Sequence, residues 1–256
     1  SMVNVGFCVG CLGSAIGNLA DVVSPPTLIL IGSMGAGAVN ACLLLTGGFY
    51  SALLVRFSVG MFLSLVYPPG VKLLSTWFSP KERGTAIGAM FGAFCLGSAF
   101  PQLLNGMFAM QSWQPIVACT SVVSAVSGVL VYCCVGFGPF PFATRGAFDA
   151  RKCLAVLRNP QVSLTILAYC GHMWELFCVW AWVATFLKKS WRMSPGTAPF
   201  VACAVISMGG PGSWFGGILG DRYGRVRVAA ASLAISGFCI GLLGLLAHEG
   251  YLVTVL

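Results

Sequence analysis

The chain is made of long apolar runs separated by short polar punctuation. Eight stretches stand out, at about 3–20, 27–46, 50–71, 84–109, 115–136, 162–187, 198–220 and 228–247. Each is close to the ~20 apolar residues that carry an α-helix across a bilayer. The interval from Gly84 to Thr144 holds no charged residue. It is too long for one helix, and Gln111-Ser112-Trp113-Gln114 supplies the polar turn that divides it. Barrel strands run to ~10 residues with alternating polarity, and these runs are longer and do not alternate. A helix satisfies its own backbone in hydrocarbon. The pattern therefore predicts an all-α, multi-pass integral membrane bundle of about eight transmembrane helices. Tyr251–Leu256 reads as the start of a ninth span.

Composition supports lipid as the main solvent. Charged residues are 8% of the chain, against about 25% in soluble domains. Hydrophobic residues reach 58% and the mean hydropathy is +0.91. The net charge of +8 is explained by topology rather than by a nucleic-acid partner. Lys72, Lys81 and Arg83, then Arg145, Arg151, Lys152 and Arg158, then Arg222, Arg225 and Arg227 fall in one set of loops. The other set holds Lys188, Lys189 and Arg192. Basic residues mark cytoplasmic loops, so the first set is assigned to the cytoplasm and the N-terminus to the outer side. Residues 139–161, with Pro139, Pro141 and Pro160, form the expected cytoplasmic linker. It separates an N-terminal bundle of five spans (1–138) from a C-terminal bundle of three spans and the start of a fourth (162–256).

The 12 cysteines do not indicate a disulfide scaffold, because all but Cys153 lie in apolar runs where cysteine serves as a small hydrophobe. Cys8 and Cys11 form a CxxC without a second pair nearby, too few ligands for a zinc site. Ser1-Met2 reads as one residue ahead of a start methionine, and no basic region marks a signal peptide. The 33 glycines include Gly32/Gly35, Gly88/Gly92 and Gly216/Gly220, spacings that let helices approach closely in lipid.

A short repeat links the two halves. Gly17-Asn18-Leu19-Ala20-Asp21 recurs as Gly217-Ile218-Leu219-Gly220-Asp221, each at the cytoplasmic end of a span. Internal repeats are a feature of transporters built from similar bundles. The second copy continues as Arg222-Tyr223-Gly224-Arg225-Val226-Arg227 and resembles the signature loop of the major facilitator superfamily. The first copy continues as Val22-Val23-Ser24-Pro25-Pro26, without the basic residues. Arg56-Phe57-Ser58-Val59-Gly60 resembles the arginine motif of that family's fourth helix. Tyr67-Pro68-Pro69-Gly70-Val71-Lys72 with Trp77–Gly88 resembles the join of helices four and five, and Gly92, Gly97 and Pro101 resemble the glycine–proline motif of helix five. Gly171–Trp182 is similar to helix seven of the nitrate/nitrite and cyanate subgroup. The resemblance implies a twelve-helix fold of which these spans would be the second to the ninth. The chain would then be a fragment of a longer protein or a reduced relative.

Candidate functional residues are those that hydrocarbon makes costly. Arg56 is a cation inside a span, an expense of about 2.5–3.5 kcal/mol on insertion scales. It either meets an anionic solute or proton carrier, or snorkels to the outer interface. Glu175 lies near the middle of its span with His172 one turn earlier; the two form a proton relay or fix helix packing. Trp174, Gln102 and Asn105 are further candidates for a solute path, with packing and interhelical hydrogen bonding as alternatives. The resemblance implies a gating role for Asp21, Gly217, Asp221, Arg222, Gly224 and Arg225, with Arg83 at the start of the fourth span. A carboxylate beside a helix N-terminus is the physical basis of such a gate. Gly209-Gly210-Pro211-Gly212 predicts a helix break within a span.

No phosphate-binding loop, catalytic triad or metal cluster is visible, so an enzyme is not expected. No cofactor is implied beyond a coupling ion, taken as a proton. The expected function is secondary active transport of a small polar or anionic solute. The alternative is a transporter-derived structural subunit held by other membrane subunits. Its partners are the lipid bilayer and a small-molecule solute.

Overall fold

A computed structural model of the chain describes residues 2–108, 113–140 and 158–246. Most of the expected linker, with Arg145, Arg151 and Lys152, the Gln111-Ser112 part of the polar turn and the start of a ninth span lie outside the described residues. The rest is helical: α1 (Met2–Ile16), α2 (Leu19–Val22), α3 (Pro25–Cys42), α4 (Phe49–Leu63), α5 (Tyr67–Ser75), α6 (Arg83–Phe108), α7 (Gln114–Cys134), α8 (Pro160–Ser190), α9 (Thr197–Ser207), α10 (Gly209–Tyr223) and α11 (Arg225–Leu246). Seven runs among the described residues are long and apolar enough to cross a membrane, and α1 is a shorter apolar helix. All eight runs read from the sequence are therefore helical, and the chain is a multi-pass integral membrane protein.

Local sequence sets the helix ends. Pro25-Pro26, Pro115 and Pro160 stand in the first turns of α3, α7 and α8, where a missing N–H costs nothing. Asn159 caps α8 by accepting the Gln161 N–H at 3.0 Å. Gly224 ends α10 with φ +96°, a backbone state that a β-carbon disfavours. Proline acts differently within a span. Pro68 and Pro69 follow the short turn that divides the 50–71 run into α4 and α5. Pro101 is accommodated inside α6. The break expected at Gly209–Gly212 narrows to a turn at Met208 between α9 and α10. Met208 keeps helical dihedrals there.

The described residues divide into two compact units, Ser1–Arg83 with Gln111–Phe148, and Gly84–Met110 with Asp149–Leu256. In the first, α1 packs on α4, and α3 packs on α4, α5 and α7. Glycine allows the contact. A β-carbon on Gly6 would stand 1.9 Å from the Phe57 carbonyl oxygen, and one on Gly60 2.0 Å from that of Val3. The chain leaving α7 folds back onto the end of α5. There Thr76 Oγ1 accepts the Gly138 N–H at 2.9 Å, the Thr76 carbonyl accepts the Phe140 N–H at 2.9 Å, and Trp77 Nε1 donates to the Gly136 carbonyl at 3.0 Å.

In the second unit α8 packs on α9, α9 on α10 and α10 on α11. This unit also contains α6. That helix packs on α10 along a glycine-lined seam. A β-carbon on Gly88 would stand 2.5 Å from the Ser213 carbonyl oxygen, and one on Gly92 2.9 Å from that of Gly210. Close backbone approach substitutes in lipid for the hydrophobic drive available in water. Gly88→Ala should overpack this seam and destabilise the protein by about 1–3 kcal/mol. Gly216→Ala, where a β-carbon meets open space, should be neutral. Thermal unfolding of both variants in detergent measures the difference.

Candidate functional site

The start of α6 is capped by a carboxylate from another helix. Glu82, immediately before α6, has its own carboxylate engaged by Ser79 Oγ at 2.7 Å. Asp221, near the end of α10, takes the capping position. Its Oδ2 accepts the Thr85 backbone N–H at 2.7 Å and the Thr85 hydroxyl at 3.0 Å. Thr85 is the third residue of α6, and that N–H is among those a helix leaves without an internal partner. A negative charge there also meets the positive end of the helix dipole. Arg225 Nη2 reaches Asp221 Oδ1 at 3.4 Å. Gly217 admits the approach, since a β-carbon on it would stand 2.6 Å from the Gly84 carbonyl oxygen. Gly224 makes the turn, and exposed Arg222 lies over the Tyr223 ring at 5.4 Å. Arg83 is the first residue of α6.

The first copy of the repeat uses another partner. Asp21, in α2, is joined to Lys72 Nζ from α5, and the same ammonium donates to the Ala20 carbonyl at 2.6 Å. Lys72 thus supplies from a distant helix the positive charge missing after Asp21. Its signal in the sequence was a cation just beyond the 50–71 run, assigned to no acid.

The other candidates lie in different surroundings. Arg56 is half-buried in α4, and its Nη1 donates to Asn40 Oδ1 of α3 at 3.4 Å. Asn40 Nδ2 in turn reaches Ser121 Oγ at 2.9 Å, Thr120 Oγ1 at 3.3 Å and the Val117 carbonyl at 3.4 Å on α7. Glu175, half-buried in α8, accepts the Ser236 hydroxyl of α11. His172 is half-buried one turn earlier, and among the described residues no hydrogen bond or ion pair joins it to Glu175. Trp174 is 78% exposed, whereas Trp180 packs between Phe94 and Phe177 at ring distances of 5.6 and 5.8 Å. Gln102 and Asn105 are half-buried on α6 beyond Pro101. The candidates therefore form separate clusters: Arg56 with Asn40, Glu175 with Ser236, Asp21 with Lys72, and Asp221 with Thr85 and Arg225. Asn40 and Ser236 escaped the sequence reading. Asn40 is the sole carboxamide of the 27–46 run, which is its only sequence signal.

The model of the Major Facilitator Superfamily matches residues 3–256. The chain belongs to the major facilitator superfamily. Among similar curated proteins are a probable L-galactonate transporter of Escherichia coli K12, 21% identical, and a hexuronate transporter of Bacillus subtilis, 24% identical. The matches cover 80% and 89% of this chain, and 49% and 58% of those proteins. The multidrug resistance protein MdtG of Dickeya zeae is 23% identical over 91% of this chain and 59% of its own length. The superfamily chain thus spans about half of the length of the relatives it matches. Their names support the superfamily and not the nitrate/nitrite or cyanate subgroup that the α8 sequence resembles.

Asp221→Ala should leave the α6 N-terminus uncapped at a cost of about 0.5–2 kcal/mol, in the range of lost helix caps. Asp221→Asn, which keeps an acceptor oxygen, should cost less. Chemical or thermal unfolding of the two variants in detergent gives the ranking.

Proposed function

We propose that this protein is part of a secondary active transporter for a small anionic solute, coupled to protons and working by alternating access. The observation that carries the reading is Arg56. It is a cation within a membrane-spanning run, and its described polar partner is a neutral amide oxygen rather than a carboxylate. Desolvating such a charge is costly unless an anion is gained in return. The names of two relatives, L-galactonate and hexuronate transporters, are those of carboxylated sugars and fit that charge.

In this reading Glu175 carries the proton. It is an acid inside a span whose described partner is a neutral hydroxyl, Ser236, rather than a fixed cation. His172 one turn away serves as the exchange partner. Asp221 acts at the cytoplasmic gate: while it caps α6, α6 and α10 are clamped, and release leaves an uncapped helix end.

Uptake of L-galactonate and other sugar acids by proteoliposomes under an imposed proton gradient tests the assignment. Arg56→Gln should reduce uptake more than about tenfold, the scale of a lost charge-assisted contact. Glu175→Gln should abolish accumulation driven by the gradient while solute exchange between the two sides continues. Uptake unchanged by both substitutions would remove the assignment.

A further inference from the structure

The orientation of the Asn40 side chain is fixed by hydroxyl groups that have no hydrogen left to give. Ser121 Oγ donates to the Val117 carbonyl at 2.7 Å, and Thr120 Oγ1 donates to the Ile116 carbonyl at 2.8 Å. A hydroxyl has one proton and further lone pairs. With that proton committed along α7, each presents only acceptor character to Asn40. The third neighbour, the Val117 carbonyl, is an acceptor by nature. The NH2 of Asn40 must therefore face α7, and its carbonyl oxygen is left pointing at Arg56 Nη1. Two small residues admit this fit, since a β-carbon on Gly37 would stand 2.7 Å from the Ser121 carbonyl oxygen and one on Gly128 2.6 Å from Ser33 Cβ.

Charge accounting gives the arrangement its consequence. The described acids of this unit are Asp21, joined to Lys72, and Glu82, joined to Ser79. Among the described residues no carboxylate pairs with Arg56. Its own helix and the unit's other long helices, α1, α3, α5 and α7, otherwise contribute cysteines, tyrosines and Lys72 as their titratable groups. An amide oxygen directs a guanidinium without cancelling its charge, whereas a carboxylate does both.

We infer that Asn40 is a positioning residue that aims Arg56 while keeping it a full cation for the carboxylate of a solute. The inference rests on the proposed anion contact of Arg56 and adds what determines its selectivity. α7 fixes the amide, the amide aims the arginine, and the uncancelled charge excludes neutral sugars.

Asn40→Asp is nearly isosteric and supplies the missing carboxylate. Two measurements separate this inference from the functional reading beneath it. In the first, Arg56 is labelled with phenylglyoxal in detergent and quantified by mass spectrometry, which requires no knowledge of the solute. The ion pair created by Asn40→Asp should slow labelling at Arg56 about tenfold relative to wild type, as for a charged hydrogen bond worth ~1.5 kcal/mol. Equal rates would overturn the inference. In the second, the KM for L-galactonate uptake should rise by a similar factor with kcat less affected, and should fall back as the pH is lowered and the introduced carboxyl takes up a proton. Ser121→Ala, which introduces no charge, frees the amide and should raise KM in the same direction. It decides the matter if Asn40→Asp fails to insert, and an unchanged KM in Ser121→Ala would then overturn the inference. Slowed labelling together with uptake indifferent to Arg56→Gln would keep the positioning role and refute the anion contact.

Discussion

Hydrocarbon offers a buried charge nothing, so an ionic group within a span has to be answered by the protein itself. The answers differ in kind. Asp21 is met by a cation, Lys72. Asp221 is met mainly by a helix N-terminus and secondarily by Arg225. Glu175 is met by a hydroxyl and Arg56 by an amide oxygen. The first two arrangements neutralise charge and belong to the ends of spans, where structure must be held. The last two are met inside spans by neutral groups. Neutral partners cost stability there, and the proposed transport chemistry gives that cost a purpose.

Packing obeys the same constraint. Lipid tails are as apolar as leucine, so burial alone does not bring helices together. Close contact has to come from shape. The seams between α1 and α4, α3 and α7, and α6 and α10 are lined by glycines whose missing β-carbons let backbone touch backbone. The seam of α6 with α10 also brings Thr85 within reach of Asp221. Gly84 and Gly217 make room, and a side chain at either position would push the carboxylate away from the helix end it caps.

The spans were legible in the sequence because length and apolarity are local properties. So were the intramembrane charges Arg56 and Glu175. The repeat at Gly17 and Gly217 pointed to its loops because its residues are contiguous. Partnerships were harder to read. Lys72 reaches Asp21, and Ser236 reaches Glu175, across the fold, with no local pattern joining them. Asn40 was hidden for a different reason: a single amide in a small-residue helix looks like packing until its neighbours on α7 are known.

The backbone stitching at Thr76 and Trp77 has a mechanical corollary. Gly136, Gly138 and Phe140 are tied to the end of α5, so tension along the polypeptide beyond Phe140 reaches α5 before it reaches α7. α5 is also the helix that carries Lys72. A tug transmitted along that path would arrive first at the one lysine holding the incomplete copy of the repeat in register.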